Sequence, residues 1–561
     1  MRPKNKRQSP QQPSISPSQT GRLWGVILLA LVILFFSAIR FRLRDMPLER
    51  DEGEYAYAGQ LILQGIAPYA LAYNMKLPGT YAAYALMMAV FGQSPAAVHI
   101  GMILVNDAAI MLVFLLARRL WGNTAGLAAA CTYALLSNSE SVLGFAGHAT
   151  HFVMLCALGG ILLLLRALET HRPALYFVSG ICMGLAFVMK QPGLVFVVFG
   201  AFYIAATQWR EPEKRPILIR LAIYGAGTIF PFALTCLWLG LAGQLGRMWF
   251  WTYAYARQYG SLTTLWDGWE NLFVLGYYVV SSNYLLWILA AVGLAALAWD
   301  SRGKHAFFTV AFLVFSWGGV CVGFYFRPHY FILVLPAISL LAGLAVSAAQ
   351  HELSQLFNRT LATAIPAVLF VIVAVLSVSA QSDFLFRMDP VAACRWAYGN
   401  SPFPEAEVIA QYLKQNTKDD ARIAILGSEP EIYLYSGRHS ATGYIYVYPL
   451  FEPQRFAVDM QKEMAKEIED HHPEYVVLVK VATSWQFRPG ADMWMVNWFH
   501  NYLAAHYQMV GVADILPSQT RYLWGDAARS YKEESDAALE VYKVLPVSAI
   551  AAENVQAPSA R

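Results

Sequence analysis

Long apolar stretches separated by short polar ones fill the first 380 residues, after which the pattern changes. Apolar runs occur at 23–39, 96–117, 123–139, 150–166, 174–189, 192–208, 217–240, 284–299, 306–325, 330–349 and 361–380. Helices of roughly 17–25 apolar residues cross a bilayer, so this pattern predicts about eleven transmembrane helices. The run 81–91 is too short to cross and predicts a helix that lies along the interface or re-enters it. The first run would extend ~26 Å as a helix and is followed by no small-residue cleavage site, so it reads as a signal anchor. Residues 1–22, rich in Pro, Gln and Ser, read as a disordered cytoplasmic terminus.

Beyond residue 380 the periods are those of a soluble domain. Residues 404–415 (PEAEVIAQYLKQ) and the alternating charges of 453–470 predict amphipathic helices. The runs 421–426 (ARIAIL) and 474–479 (EYVVLV) suit buried strands. Strands alternating with helices predict a small α/β domain over 381–530, with 531–561 a polar, Ala-rich flexible tail. The expected fold is therefore a polytopic α-helical membrane protein with a C-terminal extracytoplasmic α/β domain.

Composition agrees. The 561 residues are 57% hydrophobic and 14% charged, with a mean hydropathy of +0.41, too apolar for a soluble chain. A net charge of +4 spread over loops gives no basic patch, so no nucleic-acid partner is expected. Cys131, Cys156, Cys182, Cys236 and Cys321 lie in apolar runs and Cys394 has no nearby partner, so no disulfide scaffold is expected. Arg118, Arg119, Arg166, Arg172, Arg302, Lys304, Arg359 and the basic stretch 210–220 fall on alternate loops with the amino terminus. The excess of positive charge on cytoplasmic loops puts them inside. Arg40, Arg42 and Arg44 oppose that assignment, but the later loops decide it. Loop 40–95 and everything after 380 then face outward from a plasma (inner) membrane.

Several outward-facing groups are candidates for chemistry. Glu49, Asp51, Glu52 and Glu54 crowd four acids beside Arg50 and Tyr55, directly after a span. A solvated loop would look similar, yet charge packed against lipid is costly unless used. Lys76, Lys190 and Arg327 also fall at the outward face. Each alone is compatible with snorkelling to head groups; together they suggest a patch for a membrane-held phosphate. His148 and His151 are three apart and could share a helical face, but with no further ligand evident a wall of a polar site is favoured and no metal is expected. Asp107 lies mid-span, where a proton relay or an interhelical hydrogen bond, with Asn106 beside it, would explain it. The aromatic band 249–259 reads as interfacial anchoring, and Gly427-Ser428 as a weak site for a polar ligand. No P-loop, dinucleotide fingerprint, His-Glu-x-x-His or nucleophile elbow occurs.

Asp51-Glu52 with Tyr55, Lys76-Leu77-Pro78, Lys190-Gln191-Pro192 and the segment 327–336 (RPHYFILVLP) together resemble the GT-C membrane glycosyltransferases of family 39. That family includes protein O-mannosyltransferases and lipid A aminoarabinose transferases. The resemblance implies an inverting transferase that takes a sugar from a polyprenyl-phosphate donor at the outer face, with a lipid, glycan or protein as acceptor and no cofactor. It also implies that Asp51 is the catalytic aspartate and that Lys76 lies near the donor phosphate. Glu54 stands where the aminoarabinose transferases carry arginine, and their second acid is replaced around Gly147-His148. On this reading Asp51 and Glu52 form the catalytic pair, Asp51 as base and Glu52 orienting it or holding the neighbouring loop. Adjacent helical residues diverge by ~100°, so only one can face a cavity; Glu54, three residues on, is the reserve base. A like-charged neighbour is expected to raise the pKa of Asp51. Tyr55, His148, His329 and Tyr330 complete the expected substrate-binding set with Glu54, Lys76, Lys190 and Arg327. The alternative class is a lipid or solute transporter with Asp107 in a relay, but no repeated pair of broken helices supports it.

Overall fold

The computed structural model describes residues 19–209, 213–299 and 305–546. Most of residues 1–22, together with Arg210, Arg302 and Lys304, lie outside that set. Among the described residues, six helices are long and apolar enough to cross a bilayer: Trp24–Arg42, Pro95–Trp121, Ala149–Thr170, Gln191–Gln208, Arg215–Leu241 and Arg359–Ala380. A seventh is added if Leu265–Ser281 and Tyr284–Ala298, bent by 102°, count as one span. The molecule is thus a multi-pass α-helical membrane protein, with fewer spans shown than the hydrophobic pattern suggests. For three of the expected spans the physical reason is length, whereas Leu335–Leu356, with 22 residues, is long enough but ends in the polar stretch QHELSQ. Asn123–Ser137, Pro173–Met189 and Ala306–Val320 have 15, 17 and 15 residues, or ~22–26 Å of helix against a hydrocarbon core of ~30 Å. Gly79–Phe91 is the short apolar helix expected before the second span.

Close helix approach depends on small residues. A Cβ on Gly180 would sit 2.3 Å from the Tyr224 carbonyl oxygen, and one on Gly227 2.2 Å from that of Phe177. Without a hydrophobic driving force between helices in lipid, such close contact is what holds them together. Asp107 is partnered across helices, as one reading of it anticipated: its Oδ2 accepts from Ser37 Oγ at 2.8 Å. Asn106 takes no part, and its amide has no protein partner.

The opposing arginines are structural. Arg40 donates to Asn138 Oδ1 (2.7 Å) and to the carbonyls of Gly144 and Ser137. Arg42 donates to the carbonyls of Phe384, Leu385 and Met388. Side chains consumed in this way tie helix ends together and do not report membrane sidedness.

The carboxy-terminal unit is a six-stranded sheet with helices, ordered β2-β1-β3-β6-β4-β5. The strands are β1 Arg422–Leu426, β2 His439–Ser440, β3 Tyr475–Lys480, β4 Tyr507–Ile515, β5 Thr520–Trp524 and β6 Ala538–Val544. β1 pairs in parallel with β2 and β3, whereas β6, β4 and β5 pair antiparallel. The expected strands at 421–426 and 474–479 and the expected helices are present within a few residues. The flexible-tail expectation needs correction: β6 lies inside 531–561 and pairs on both sides, with β3 and β4. Its Leu539 and Val541 are fully buried, an alternation that the neighbouring charges and alanines obscure.

This domain shares its core with the first outward loop. Tyr55, Tyr57 and Leu61 of helix Arg50–Leu63 bury against a cluster containing Ile425, Ile432 and Tyr433. The Tyr57 and Tyr433 rings stack at 5.1 Å. At Gly53 a Cβ would lie 2.8 Å from Glu431 Cβ, so only glycine permits this packing. Arg50 clamps the joint, with Nη2 on Glu429 Oε1 (2.9 Å) and Nε on the Ser428 carbonyl (2.6 Å). Ser428 N–H is itself spent on Glu429 Oε2 and Ser484 Oγ, so that amide is not free for a ligand.

The Arg50–Glu429 pair is 11% and 0% exposed. Glu429→Ala should cost about 3–5 kcal/mol by leaving a buried guanidinium unpaired, whereas Glu429→Gln should lose less. Thermal unfolding of the full chain in detergent measures both, and an unchanged midpoint for Glu429→Ala would show that the pair does not hold the joint.

Candidate active site

A cavity of ≈ 260 Å³ lies where the outward helix ends meet the carboxy-terminal domain. Asp51, Lys76, Lys190, Arg327, His329 and Tyr330 line it from the membrane side. Tyr446, Tyr448 and Glu452 line it from the domain, and Tyr255, Tyr259 and Tyr325 from the intervening loops.

The acids are placed by the start of helix Arg50–Leu63. Glu49 and Glu52 form a capping box: Glu52 N–H donates to Glu49 Oε1 at 3.0 Å, and Glu49 N–H to Glu52 Oε2 at 3.3 Å. This satisfies amides that the helix leaves open and fixes the rotation that points Asp51 into the cavity. Glu52 points elsewhere, as the ~100° divergence requires. It is fully buried, accepts from Gly147 N–H at 2.6 Å and lies 3.2 Å from His99 Nε2. Glu52 thus holds the Gly147 loop and does not line the cavity.

Lys76 Nζ bridges Asp51 Oδ1 (2.7 Å) and Glu54 Oε2 (2.9 Å). Its ammonium also sits 4.5 Å from the Tyr55 ring centre. Glu54 is completed by the Tyr81 hydroxyl at 2.5 Å. Glu54 and Tyr55 are buried and form the floor behind Asp51. Burial would raise the pKa of Asp51, but Lys76, with His148 and His329, holds it well below the usual carboxylate range. The expected upward shift of the base is therefore reversed, because a cation sits closer to it than any other acid. Glu54 moves the other way, raised by burial above all, with Asp51 adding to the effect.

The second cationic turn is tied to the first. Gln191 Nε2 donates to the Met75 carbonyl at 2.5 Å, and Thr80 Oγ1 to that of Met189 at 2.9 Å. A Cβ on Gly79 would lie 2.6 Å from the Val188 carbonyl oxygen. The Lys-Leu-Pro-Gly and Lys-Gln-Pro-Gly segments thus pack as one unit and bring Lys190 beside Lys76. Lys190 Nζ sits 4.3 Å from the Tyr330 ring centre and makes no ion pair among the described residues. Burial pushes its pKa down to about 7, with Lys76 and Arg327 adding repulsion. Arg327 also lacks a carboxylate within ion-pair distance among the described residues. It follows Phe324 and Phe326, both at positive φ (57° and 45°), a strained backbone of the kind that persists at functional sites.

His148 lies behind the cavity wall. Its ring stacks on His329 at 4.1 Å and 15°, and its Nδ1 is 3.7 Å from both Asp51 Oδ2 and Glu49 Oε1. Asp51, His148 and His329 offer ligand atoms within 4.8 Å of one another, the one such trio of possible metal ligands among the described residues. Face-to-face imidazoles aim their lone pairs side by side instead of at a common point, which suits a cation poorly. His151, the partner considered from spacing, is not part of this group.

Three comparisons bear on this arrangement. A family model described as dolichyl-phosphate-mannose-protein mannosyltransferase matches residues 76–238. The undecaprenyl phosphate-alpha-4-amino-4-deoxy-L-arabinose arabinosyl transferase of Pseudomonas aeruginosa (strain UCBPP-PA14) is 26% identical over 252 residues, 42% of this chain and 43% of that protein. The chain is therefore matched to less than half the length of that curated relative. Among solved structures, ArnT from Cupriavidus metallidurans bound to undecaprenyl phosphate superposes with a TM-score of 0.56 at 15% identity, over 94% of this chain and 98% of that one. The chain therefore has the fold of that structure, and part of it is similar in sequence to these two groups of transferases. The archaeal oligosaccharyltransferase AglB from Archaeoglobus fulgidus, in complex with an inhibitory peptide and a dolichol-phosphate, shares the fold more distantly. Its TM-score is 0.50 at 12% identity, over 91% of this chain and 75% of that one.

Sequence reasoning named no residue of the domain in the site. Tyr446, Tyr448 and Glu452 lie in a loop whose signal is only the aromatic run YIYVY. The band at 249–259 divides its work. Trp249 and Tyr253 are exposed, as interfacial anchors are, whereas Tyr255 and Tyr259 turn to the cavity.

An anion bound beside Lys190 should restore its proton, so binding should be tightest below pH ~7 and weaken as pH rises through that value. Titration of undecaprenyl phosphate into the purified chain at pH 6 and 8.5, with measured proton uptake, tests this. Lys190→Gln should flatten the difference; an equal pH dependence in that variant would assign it to another group.

Proposed function

We propose that the chain is an inverting glycosyltransferase that moves a sugar from a polyprenyl-phosphate donor to an acceptor at the outer face of the membrane. The observation that carries this reading is the placement of one ionised carboxylate and two unpaired cations around a single cavity. Asp51 accepts the proton of the acceptor hydroxyl as that oxygen forms its bond to the anomeric carbon. The bond from that carbon to the phosphate oxygen breaks on the opposite face, which inverts the centre. Lys190 and Arg327 bind the departing phosphate, and Lys76 links them to the base. Phosphate is a good leaving group, so stabilising its charge suffices and no general acid is required. The names of the relatives, each containing a polyprenyl or dolichyl phosphate, support the donor class. The acceptor is a lipid, glycan or protein.

The same reading extends to topology. With the shorter apolar helices counted, about eleven spans carry the amino terminus inside and the sheet domain, residues 381 to about 546, outside. Cavity and domain then face the same aqueous space. Reporter fusions at Gln208 and Gln381 should report opposite sides of the membrane; matching signals would refute the arrangement.

Asp51→Asn keeps the shape but removes the charge that takes the proton. It should lower turnover by about 10²-fold or more with donor affinity little changed. Since Asp51 is held ionised, the wild-type rate should stay level downward from neutral pH and fall only in the acid range. Transfer kinetics in proteoliposomes measure both, and a wild-type rate in Asp51→Asn alongside a loss in Glu54→Gln would exchange their roles.

A further inference from the structure

Glu452 has no part in the transfer step, yet it is buried within the cavity wall. It comes from the carboxy-terminal domain, is 5% exposed and lines the space that also holds Asp51. Its Oε2 accepts from the Tyr255 hydroxyl at 2.6 Å, while Oε1 has no protein hydrogen bond among the described residues. A carboxyl anchored by one oxygen and open at the other is preorganised to bind a polar group of a ligand.

We propose that Glu452 and the tyrosines around it form the sugar subsite, and that it selects a neutral hydroxylated sugar over an amino sugar. This deepens the transferase reading and rests on it. Charge decides between the two sugar types. A carboxylate beside aromatic rings would ordinarily suit an ammonium group. Here the cations are already in excess. Arg327 and Arg488 flank the Tyr325 ring at 5.7 and 5.9 Å, and Lys190 lines the same cavity without an acid partner. Asp51, the other acid lining the cavity, is engaged by Lys76. Arg488 and Arg327 already offset the charge of the Glu452 carboxyl, so an ammonium gains little there, whereas a hydroxyl needs no free charge. Burial, above all, pushes Glu452 up to about 7, so near neutral pH its open oxygen can either donate or accept, which matches a hydroxyl. Tyr259 and Tyr325, stacked at 4.5 Å and 14°, add an apolar ledge for sugar C–H groups. The site therefore fits a neutral sugar, in contrast to the amino sugar in the name of the Pseudomonas relative.

The test is binding to the full-length chain in detergent with three probes: undecaprenyl phosphate, undecaprenyl-phosphoryl-glucose, and undecaprenyl-phosphoryl-4-amino-4-deoxyarabinose. The wild type should bind the glucosyl donor at least tenfold more tightly than the amino sugar donor. Glu452→Ala should weaken the glucosyl donor by about tenfold or more, the loss expected for one hydrogen bond to a charged group. Undecaprenyl phosphate, which lacks the sugar, should lose much less. Glu452→Gln keeps the shape and the Tyr255 contact, and should retain part of the glucosyl affinity, which separates recognition from folding. Preference for the amino sugar donor, or equal weakening of all three probes in Glu452→Ala and Glu452→Gln, would overturn the subsite. Failure of the wild type to bind any of the probes would instead overturn the transferase reading beneath it.

Discussion

One ammonium held between two buried carboxylates organises the outward end of this protein. Lys76 binds Asp51 and Glu54 at once, 12% exposed itself and with Glu54 almost fully enclosed. Three such groups could not be buried singly, since an unpaired charge away from water costs several kcal/mol. Together they need a cation reaching back from a second segment. That segment, from Lys76 to Gly79, is fixed by packing against the Lys190 turn. The ion cluster therefore links the first loop to the bundle and sets the position of Asp51.

The carboxy-terminal domain supplies what the bundle lacks. Helix Arg50–Leu63 turns Asp51 and Glu54 to Lys76 and buries Tyr57 and Leu61 in the domain's core. Domain and bundle meet along this helix and its Arg50–Glu429 clamp. The cavity formed at the joint has its cations on helix ends and its tyrosines and Glu452 on domain loops and the aromatic band. A lipid-linked donor fits such a division, because its phosphate stays at membrane depth while its sugar projects into the aqueous layer.

The charge arrangement also separates two uses of basic residues. Lys76 is neutralised by its carboxylates and serves mainly to hold them. Lys190 and Arg327 make no ion pair among the described residues, which leaves their charge open toward the cavity. Arg40 and Arg42, equally basic, are consumed by backbone carbonyls. Burial and partners, not residue type, distinguish a binding cation from a structural one.

The sequence by itself determined the broad plan. Long apolar runs and the strand-helix alternation after residue 380 are local signals, set by the period of each element, and they survive as helices and strands, six or seven of the helices being of spanning length among the described residues. The cluster of acids after the first span, with Lys76, Lys190 and Arg327, was legible for the same reason: charge beside lipid is conspicuous in a single chain. Only the tertiary structure decided which acid faces the cavity, because that depends on the capping box that turns Glu52 toward Gly147 and Asp51 toward the cavity. It also decided the sign of the shift at Asp51, which is set by the ammonium of Lys76 25 positions away in the chain. Strand β6 escaped notice because its pairing with β3 and β4 is non-local, and Glu452 because a buried carboxyl in a loop carries no periodic signal. Spacing reports what neighbours along the chain can do, whereas the cavity is made by residues hundreds of positions apart.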